Sequence, residues 1–407
     1  MTKVLHLTYD AFGGGAGRAA HRIHEAVRCA GMDSTLRSAR PARGGRGLRI
    51  LSARLACGLR ARAEGVINSL MSSANPSPRW PAVIPSRWPS LINDSSCDLV
   101  HLHWVCGAMI SVEDIGRINK PVVWTMHDMW AFCGSENIAL DDRYVEGYRS
   151  SNRPRHETGP DINAWTWQRK RRWWAAGMQV VAPSRWMAEC VRKSQLMKHW
   201  PVEIVANPID TKTWSPMPKA EARATLGINV SECVLCVAGI DGPVSRHKGY
   251  DLFVEALEIL AKTLSVTVLV IGHASSWNPE VQGVTFRYAG LVTDDAVLRQ
   301  MYAASDVMVV PSRRDNLPNT AVEAACCGLP VVAFSVGGMP DIVDHGISGY
   351  LARPFDVGDL ADGIAWTIQT DINGRLGLAA RSLAMERFDM LRIGQRYRQV
   401  YEAVLAK

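Results

Sequence analysis

The sequence predicts an α/β protein in which one architecture, parallel strands alternating with helices, is built twice. Three observations predict it. Runs such as Val307-Met308-Val309-Val310 and Val331-Val332-Ala333-Phe334 are apolar without alternation, as strands covered by helices on both faces are. A strand, a glycine-rich turn and a helix open the chain, and the same succession starts again near Val234. With 407 residues, 47% of them hydrophobic, the chain can bury two cores in domains of roughly 200 residues each.

In the first half, residues 4–8 read as a strand and Gly13-Gly14-Gly15-Ala16-Gly17 as a tight turn, followed by a helix from Arg18 to about Cys29 that Gly31 ends. Backbone N–H groups of such a turn can approach a phosphate closely. A dinucleotide fingerprint would need an acid at the end of the second strand, and Asp33 instead precedes the strand at 34–36, which counts against NAD. From Arg37 to Arg62 there are eight arginines, no acid, and interleaved Leu48, Ile50, Leu51, Leu55 and Leu59. This segment reads either as a solvated helical insertion or as a basic amphipathic face on an anionic membrane, and it carries no nucleic-acid recognition motif.

Strands at 98–102 and 122–126 lead to His103 and to His127-Asp128, and ligands in open parallel sheets collect at the carboxyl ends of strands. Either histidine taken alone reads as readily as a structural one. The stretch 134–174 is long, aromatic and charged, which marks a candidate acceptor-recognition element. Its Trp165, Trp167, Trp173 and Trp174 either stack on sugars, sit at a membrane interface, or pack a helix at about 162–176. A strand at 179–182, a capped helix after Ser184 and a strand at 202–205 complete the first domain, residues 1–207. Prolines mark 208–218 as a linker.

The second domain, 219–388, restarts with a strand at 234–239 and a turn running from Asp241 to Gly249. Strands at 266–272 and 284–289 follow, and Asp294-Asp295 read as helix N-cap residues. After the strand at 307–310, a helix at about 320–327 opens with Thr320-Ala321-Val322-Glu323, a capping-box pattern whose free N–H groups, from Asn319 and Thr320, offer an anion site. Two carboxylates lie near it, Asp315 in the loop and Glu323 in the first turn; alone, Asp315 reads as solvated and Glu323 as a cap. Helices at 357–369, 372–386 and 391–405 close the chain, the last amphipathic through Ile393, Tyr397, Val400, Tyr401 and Val404.

The net charge of +7 favours anionic partners: nucleotide sugars, anionic lipid surfaces or nucleic acid. MTKVLHLTYD has no apolar signal-peptide core and no run reaches a membrane span, so the expected location is cytoplasmic. Ten scattered cysteines read as free thiols. Cys233-Val234-Leu235-Cys236 has metal-ligand spacing, but strand alternation sends the two side chains to opposite faces, so no metal is expected.

The stretch from Pro311 to Gly349 ties these readings together. It runs Asp315, seven residues, Glu323, Ala324-Ala325, Gly328-Leu329-Pro330-Val331-Val332, then Gly337-Gly338-Met339-Pro340-Asp341-Ile342-Val343. This resembles the signature of the retaining glycosyltransferases of family 4, in which an acid, seven residues and Glu precede G-x-P-V-V and a GG-x-P-[ED]-I-V turn. The family most often has Glu at the first position, and Asp315 is a methylene shorter. Residues 125–134, TMHDMWAFCG, resemble the family's T-x-H-D-x-W-x-F-x-G segment.

The resemblance covers essentially the whole chain and implies the GT-B arrangement, two Rossmann-like domains with parallel sheets facing a central cleft, and a terminal helix, 389–407, crossing back to the first domain. It further implies transfer of a sugar from a nucleotide diphosphate donor to a glycan hydroxyl, with retention of configuration and no metal or other cofactor. Arg246 and Lys248 would hold the diphosphate, Glu323 the ribose, and Asp315 and His127 the donor sugar. Gly14, Gly15, Asn319 and Thr320 would complete the donor site, while Asp128, His103 and Trp130 would lie on the acceptor side. The arginine common about six residues before that lysine is replaced by Gly242. The expected setting is bacterial lipopolysaccharide O-chain or capsule assembly with a lipid-linked glycan acceptor and a GDP-linked donor such as mannose. Two rivals stand beside it, a sugar-phosphate or sucrose-type synthase and a non-catalytic nucleotide- or glycan-binding module.

Overall fold

The computed structural model describes residues 1–40, 48–239, 246–272 and 279–407. It divides into two compact units, Met1–Pro208 with Leu391–Lys407, and Ile209–Met390. Residues 41–47 of the arginine-rich segment and 241–245 of the turn before Lys248 lie outside the described residues, as do the side chains of 48–57.

Among the described residues the first unit is a six-stranded parallel sheet in the order β2-β1-β3-β4-β5-β6, from β1 (Lys3–Thr8), β2 (Asp33–Ser38), β3 (Leu99–Leu102), β4 (Val122–Thr125), β5 (Gln179–Ala182) and β6 (Val202–Ile204). The interior strands β3, β4 and β5 are buried at every position, whereas β2, at the edge, alternates. That difference is the one the unalternating apolar runs announce. The chain moves from β1 to β2 on one side and returns to lay β3 on the other side of β1, so the strand order reverses between β1 and β3. A crevice opens outside the carboxyl ends of strands at such a point.

The second unit repeats the plan in the order β12-β11-β10-β7-β8-β9, from β7 (Val234–Ala238), β8 (Val266–Ile271), β9 (Val284–Gly290), β10 (Val307–Val310), β11 (Val331–Phe334) and β12 (Gly349–Ala352). Its reversal falls between β7 and β10. The core beneath is built by Phe253, Leu257, Val268, Val309 and Phe334. Ile209 to Pro218, which the prolines suggest as a linker, is packed into this unit: Ile209 and Phe388 share a backbone hydrogen bond and Trp214 is 2% exposed.

Several boundaries differ from the sequence reading for local reasons. The first helix is Gly14–Cys29, so Gly14 and Gly15 form its first turn instead of a turn before it. The helix expected at 372–386 is Arg375–Phe388, because Gly374, at φ +68°, ends a short turn at Asp371–Asn373. The terminal helix Met390–Leu405 sets Ile393, Tyr397, Val400 and Tyr401 against Val4, Ile23, Val27 and Val123 of the first unit.

Candidate active site

In the second unit, three stretches far apart in sequence meet where the strand order reverses. The loop after β10 is held from two sides by glycines. Gly249 has φ +66°, and a Cβ there would lie 2.9 Å from the Pro311 carbonyl carbon and nearer still to its oxygen. Gly337, at φ +58°, stands in the same way against Asp315, whose carbonyl accepts from Gly338 N at 3.0 Å. Only residues without a Cβ allow these approaches. Arg313 N donates to His247 O at 2.8 Å, and its guanidinium pairs with Asp251 at 2.6 and 2.7 Å.

The two charged groups expected to serve a donor face each other across this loop. Lys248 Nζ donates to Asp315 Oδ2 at 2.6 Å, with Ser312 Oγ at 3.4 Å from the same oxygen. Arg246 is exposed beside them. An arriving phosphate would compete with Asp315 for the lysine, which makes the pair a preformed cation site with its counterion in place.

Glu323 departs from expectation. The helix is Asn319–Cys326, its N-cap is Pro318, and no side chain caps it. The capping box of Thr320 and Glu323 is therefore absent: with proline at the cap position, Glu323 falls in the second turn. Glu323 is 2% exposed and accepts from the buried Tyr302 hydroxyl at 3.1 Å. Asn319 and Thr320, in the first turn, are half-buried.

In the first unit the residues at the carboxyl ends of β3 and β4 line a small hollow with His103, Trp104, His127, Asp128 and Trp130. Asp128 caps its own turn, accepting from Trp130 N at 3.0 Å and from Trp104 Nε1 at 2.8 Å. Burial raises its carboxyl to about 6, partly offset by those two donors. Gly14 and Gly15 are exposed at the start of their helix.

Two of the residues expected on the acceptor side are almost fully buried. Trp130 is 2% exposed, with Nε1 donating to Trp80 O at 2.7 Å, and it packs among Trp124 and Trp174. His103, also 2% exposed, is enclosed between two other imidazoles. Both side chains border the small hollow and are otherwise enclosed by packing.

The aromatic stretch resolves mostly into packing. Trp167 and Trp174 are buried, Lys170 Nζ lies 3.9 Å from the Trp130 ring centroid, and Trp165 alone of the four is exposed, under Arg169. Lys170 is fully buried and donates to the carbonyls of Trp130, Cys133 and Gly134, so it ties down the chain that follows His127. Burial lowers its pKa. Arg60 of the basic segment is likewise structural, donating to Ile84, Pro85 and Ala108 carbonyls at 2.8, 2.6 and 2.7 Å.

What sequence reasoning missed is a histidine array. Alternation on β1 and β3 sends His6, His101 and His103 to one face, and His127 follows in the same phase after β4. His127 Nε2 lies 3.1 Å from His103 Nδ1, and His103 Nε2 lies 3.0 Å from His6 Nδ1. His101 is held separately by Tyr401 Oη and Thr125 Oγ1, both at 2.7 Å. Burial depresses all four imidazoles, His127 to about 4. The spacing His101-Leu102-His103 is the signal that could have found it.

Comparison with known proteins gives these two sites a context. Residues 13–213 match the family described as Glycosyltransferase Family 4, and residues 232–370 match Glycosyl transferases group 1. The chain carries glycosyltransferase domains of these two kinds. It is 34% identical over 161 residues to a D-inositol 3-phosphate glycosyltransferase of Segniliparus rotundus, covering 37% of this chain and 35% of that protein. The corresponding protein of Saccharomonospora viridis is 31% identical over 222 residues, 50% of this chain and 51% of that one. The chain thus spans about a third to a half of the length of these curated relatives.

Among solved structures, sucrose-phosphate synthase from Thermosynechococcus elongatus aligns over 100% of both chains with a TM-score of 0.67 at 18% identity. Anabaena HepE in complex with UDP-glucose aligns over 99% of this chain and 100% of that one, with a TM-score of 0.62 at 17% identity. At such identities the likeness is one of fold, two Rossmann-like units of the GT-B class. Among the described residues no helix is long and apolar enough to cross a membrane.

Proposed function

We propose that this chain transfers a sugar from a nucleoside diphosphate donor to an acceptor hydroxyl, with retention of anomeric configuration and no metal. The observation that carries the reading is the meeting of Lys248 with Asp315 on a loop clamped by Gly249 and Gly337. Lys248 and Arg246 neutralise the departing diphosphate, whose leaving oxygen gains charge as the glycosidic bond breaks. Asp315, released from Lys248, accepts from sugar hydroxyls, Glu323 from the ribose, and the helix start at Asn319 and Thr320 faces the phosphates. His127 donates to the donor sugar, and Asp128 holds the turn that carries it. In a front-face step the bond from the anomeric carbon to the phosphate oxygen breaks, the bond to the acceptor oxygen forms, and the acceptor proton passes to the leaving phosphate oxygen.

The acceptor is a hydroxyl of a growing surface glycan presented on lipid, and the donor is GDP-linked, mannose or a 6-deoxy relative. Support for a membrane-borne acceptor is the basic segment from Arg37 to Arg62, continued on one helix by exposed Leu59 and Val66. A second reading, a small phosphorylated acceptor, is favoured by the relatives that are named as D-inositol 3-phosphate glycosyltransferases.

Thermal denaturation against GDP, UDP, ADP and dTDP and their sugars tests the donor half, because a ligand of the native state raises Tm by mass action. One nucleotide is expected to stand out, with Glu323→Ala abolishing its shift. Product NMR then reads the anomeric configuration, and activity retained in EDTA reads metal independence. Turnover with inositol phosphate but not with lipid-linked glycan would select the second reading. If no nucleotide shifts the protein at millimolar concentration, the transferase reading falls and a glycan-binding module takes its place.

A further inference from the structure

The outer edge of the first sheet carries a pattern that the donor and acceptor sites leave unused. β2 closes the sheet on that side, and among the described residues no strand lies beyond it. Asp33 N donates to Thr2 O at 3.1 Å and Ala39 N to Thr8 O at 3.3 Å, so the odd-numbered residues turn their peptide groups toward β1. In a parallel ladder a residue's N–H and C=O point to the same side. Ser34, Leu36 and Ser38 therefore hold theirs outward, a row of backbone donors and acceptors open to another strand.

The side chains follow the same alternation. Asp33, Thr35 and Arg37 are exposed on one face; Ser34 and Leu36 are half-buried on the face covered by the helix Gly14–Cys29, where Ser34 Oγ meets His24 Nδ1 at 2.7 Å. Lysines or a proline would guard such an edge, and β2 has neither. It has instead one acid near its start and one base near its end, and among the described residues neither has a charge partner. An open hollow of about 510 Å³ lies against the edge, lined by Ser34 and Leu36 with His24, Arg28, Met32 and Met1.

A second copy laid antiparallel along β2 must pair outward residues with outward residues, which leaves few registers. Centred on Thr35, Ser34 exchanges both backbone bonds with the partner's Leu36, and Asp33 faces the partner's Arg37 on the exposed side, a contact that the two-fold axis repeats. Centred on Leu36, Asp33 would face the partner's Ala39; centred on Ser34, Arg37 would face the partner's Gly31. Only the first register joins opposite charges, at the short spacing of a non-hydrogen-bonded pair. It also sets the partner's Leu36 opposite Ser34 and diagonal to Met32 and Leu36, which line the hollow.

We propose that two copies of this chain associate through β2, antiparallel about Thr35, so that the two first sheets become one. The interface is isologous, each strand offering the other the same acid and the same base. It stands apart from the transferase reading and does not depend on it.

Sedimentation velocity over a concentration series tests the proposal. One short strand a side makes a small interface, so the wild type is expected to pass from monomer to dimer between about 1 and 500 µM, and a wild type still monomeric at the upper end overturns the proposal. Asp33→Arg or Arg37→Asp alone sets like charges opposite each other twice and is expected to weaken the dimer at least about tenfold. Asp33→Arg combined with Arg37→Asp rebuilds both pairs and is expected to recover it. A dimer that the single changes leave intact is built elsewhere and sinks the proposal, as does a double variant no better than the singles. Hydrogen exchange on the wild type keeps the test free of misfolded variants: the peptide spanning 33–38 is expected to exchange more slowly in the dimer than in the monomer, and equal exchange in the two overturns the assignment.

Discussion

Gly249 offers the sharpest quantitative test of how the second site is held, because the same unit contains a matched control. Gly249 and Gly290 share φ +66°, but a Cβ at Gly290 meets nothing within 4 Å. Alanine at either pays the left-handed backbone cost, about 1 kcal/mol. At Gly249 the Pro311 peptide must also retreat by on the order of 1 Å. That retreat breaks the 2.8 Å bond from Arg313 N to His247 O and pulls Asp315 from Lys248. A lost hydrogen bond and local strain each add about 1 kcal/mol, for a total near 3 kcal/mol. For a unit of this size, about 1 kcal/mol moves Tm by about 2–4 °C, so Gly290→Ala is expected to cost about 2–4 °C and Gly249→Ala about 6–12 °C. Calorimetry with and without nucleoside diphosphate reads both quantities. Only Gly249→Ala should weaken nucleotide binding. Equal Tm losses, or unchanged binding in Gly249→Ala, would refute the argument that this contact clamps the site.

Three more outcomes follow from the geometry. Asp315→Asn removes the carboxylate that competes for Lys248, so free nucleoside diphosphate should bind about fivefold more tightly by calorimetric titration, from a pair worth about 1 kcal/mol, while turnover falls. His6, His101, His103 and His127 are kept neutral by burial, so the folded state binds fewer protons than the unfolded chain below pH 6.5; the first unit's stability is complete above that pH and falls as pH drops toward 4. Asp128, raised to about 6, and Glu64 and Glu136, also raised by burial, take up protons in the folded state and oppose part of this, so the fall in the urea midpoint is expected to be partial and to become shallower in His127→Gln. Lys170→Met leaves three buried carbonyls without their donor and should destabilise the first unit by about 3 kcal/mol in denaturant unfolding, with nucleotide binding unchanged.

The strands and most helices were legible because their signals are local. Val307–Val310 and Val331–Phe334 state their burial in their own composition, and Asp294 caps its helix as its position suggests, accepting from Ala296 N. The capping box at Thr320 failed for an equally local reason, since Pro318 already supplies the helix start. Site residues were legible to the extent that a strand end exposes them. His103, His127 and Asp128 follow closely on β3 and β4 and Asp315 lies in the loop after β10, whereas Lys248 comes well beyond the end of β7, and the burial of His103 and Trp130 was set by neighbours from other strands and helices.

By itself the sequence determined the class of the fold, its doubling, the glycine positions and the charge types available, because each of these is set by neighbours along the chain. Only the tertiary structure decided which charges face each other and which histidines touch. Lys248 and Asp315 stand 67 positions apart, His6 and His103 stand 97 apart, and Tyr401 reaches His101 across 300. Such pairs depend on strand order and register, which side-chain pattern along one strand does not encode. A buried imidazole with a partner and an exposed one read alike until the neighbouring strand is in place.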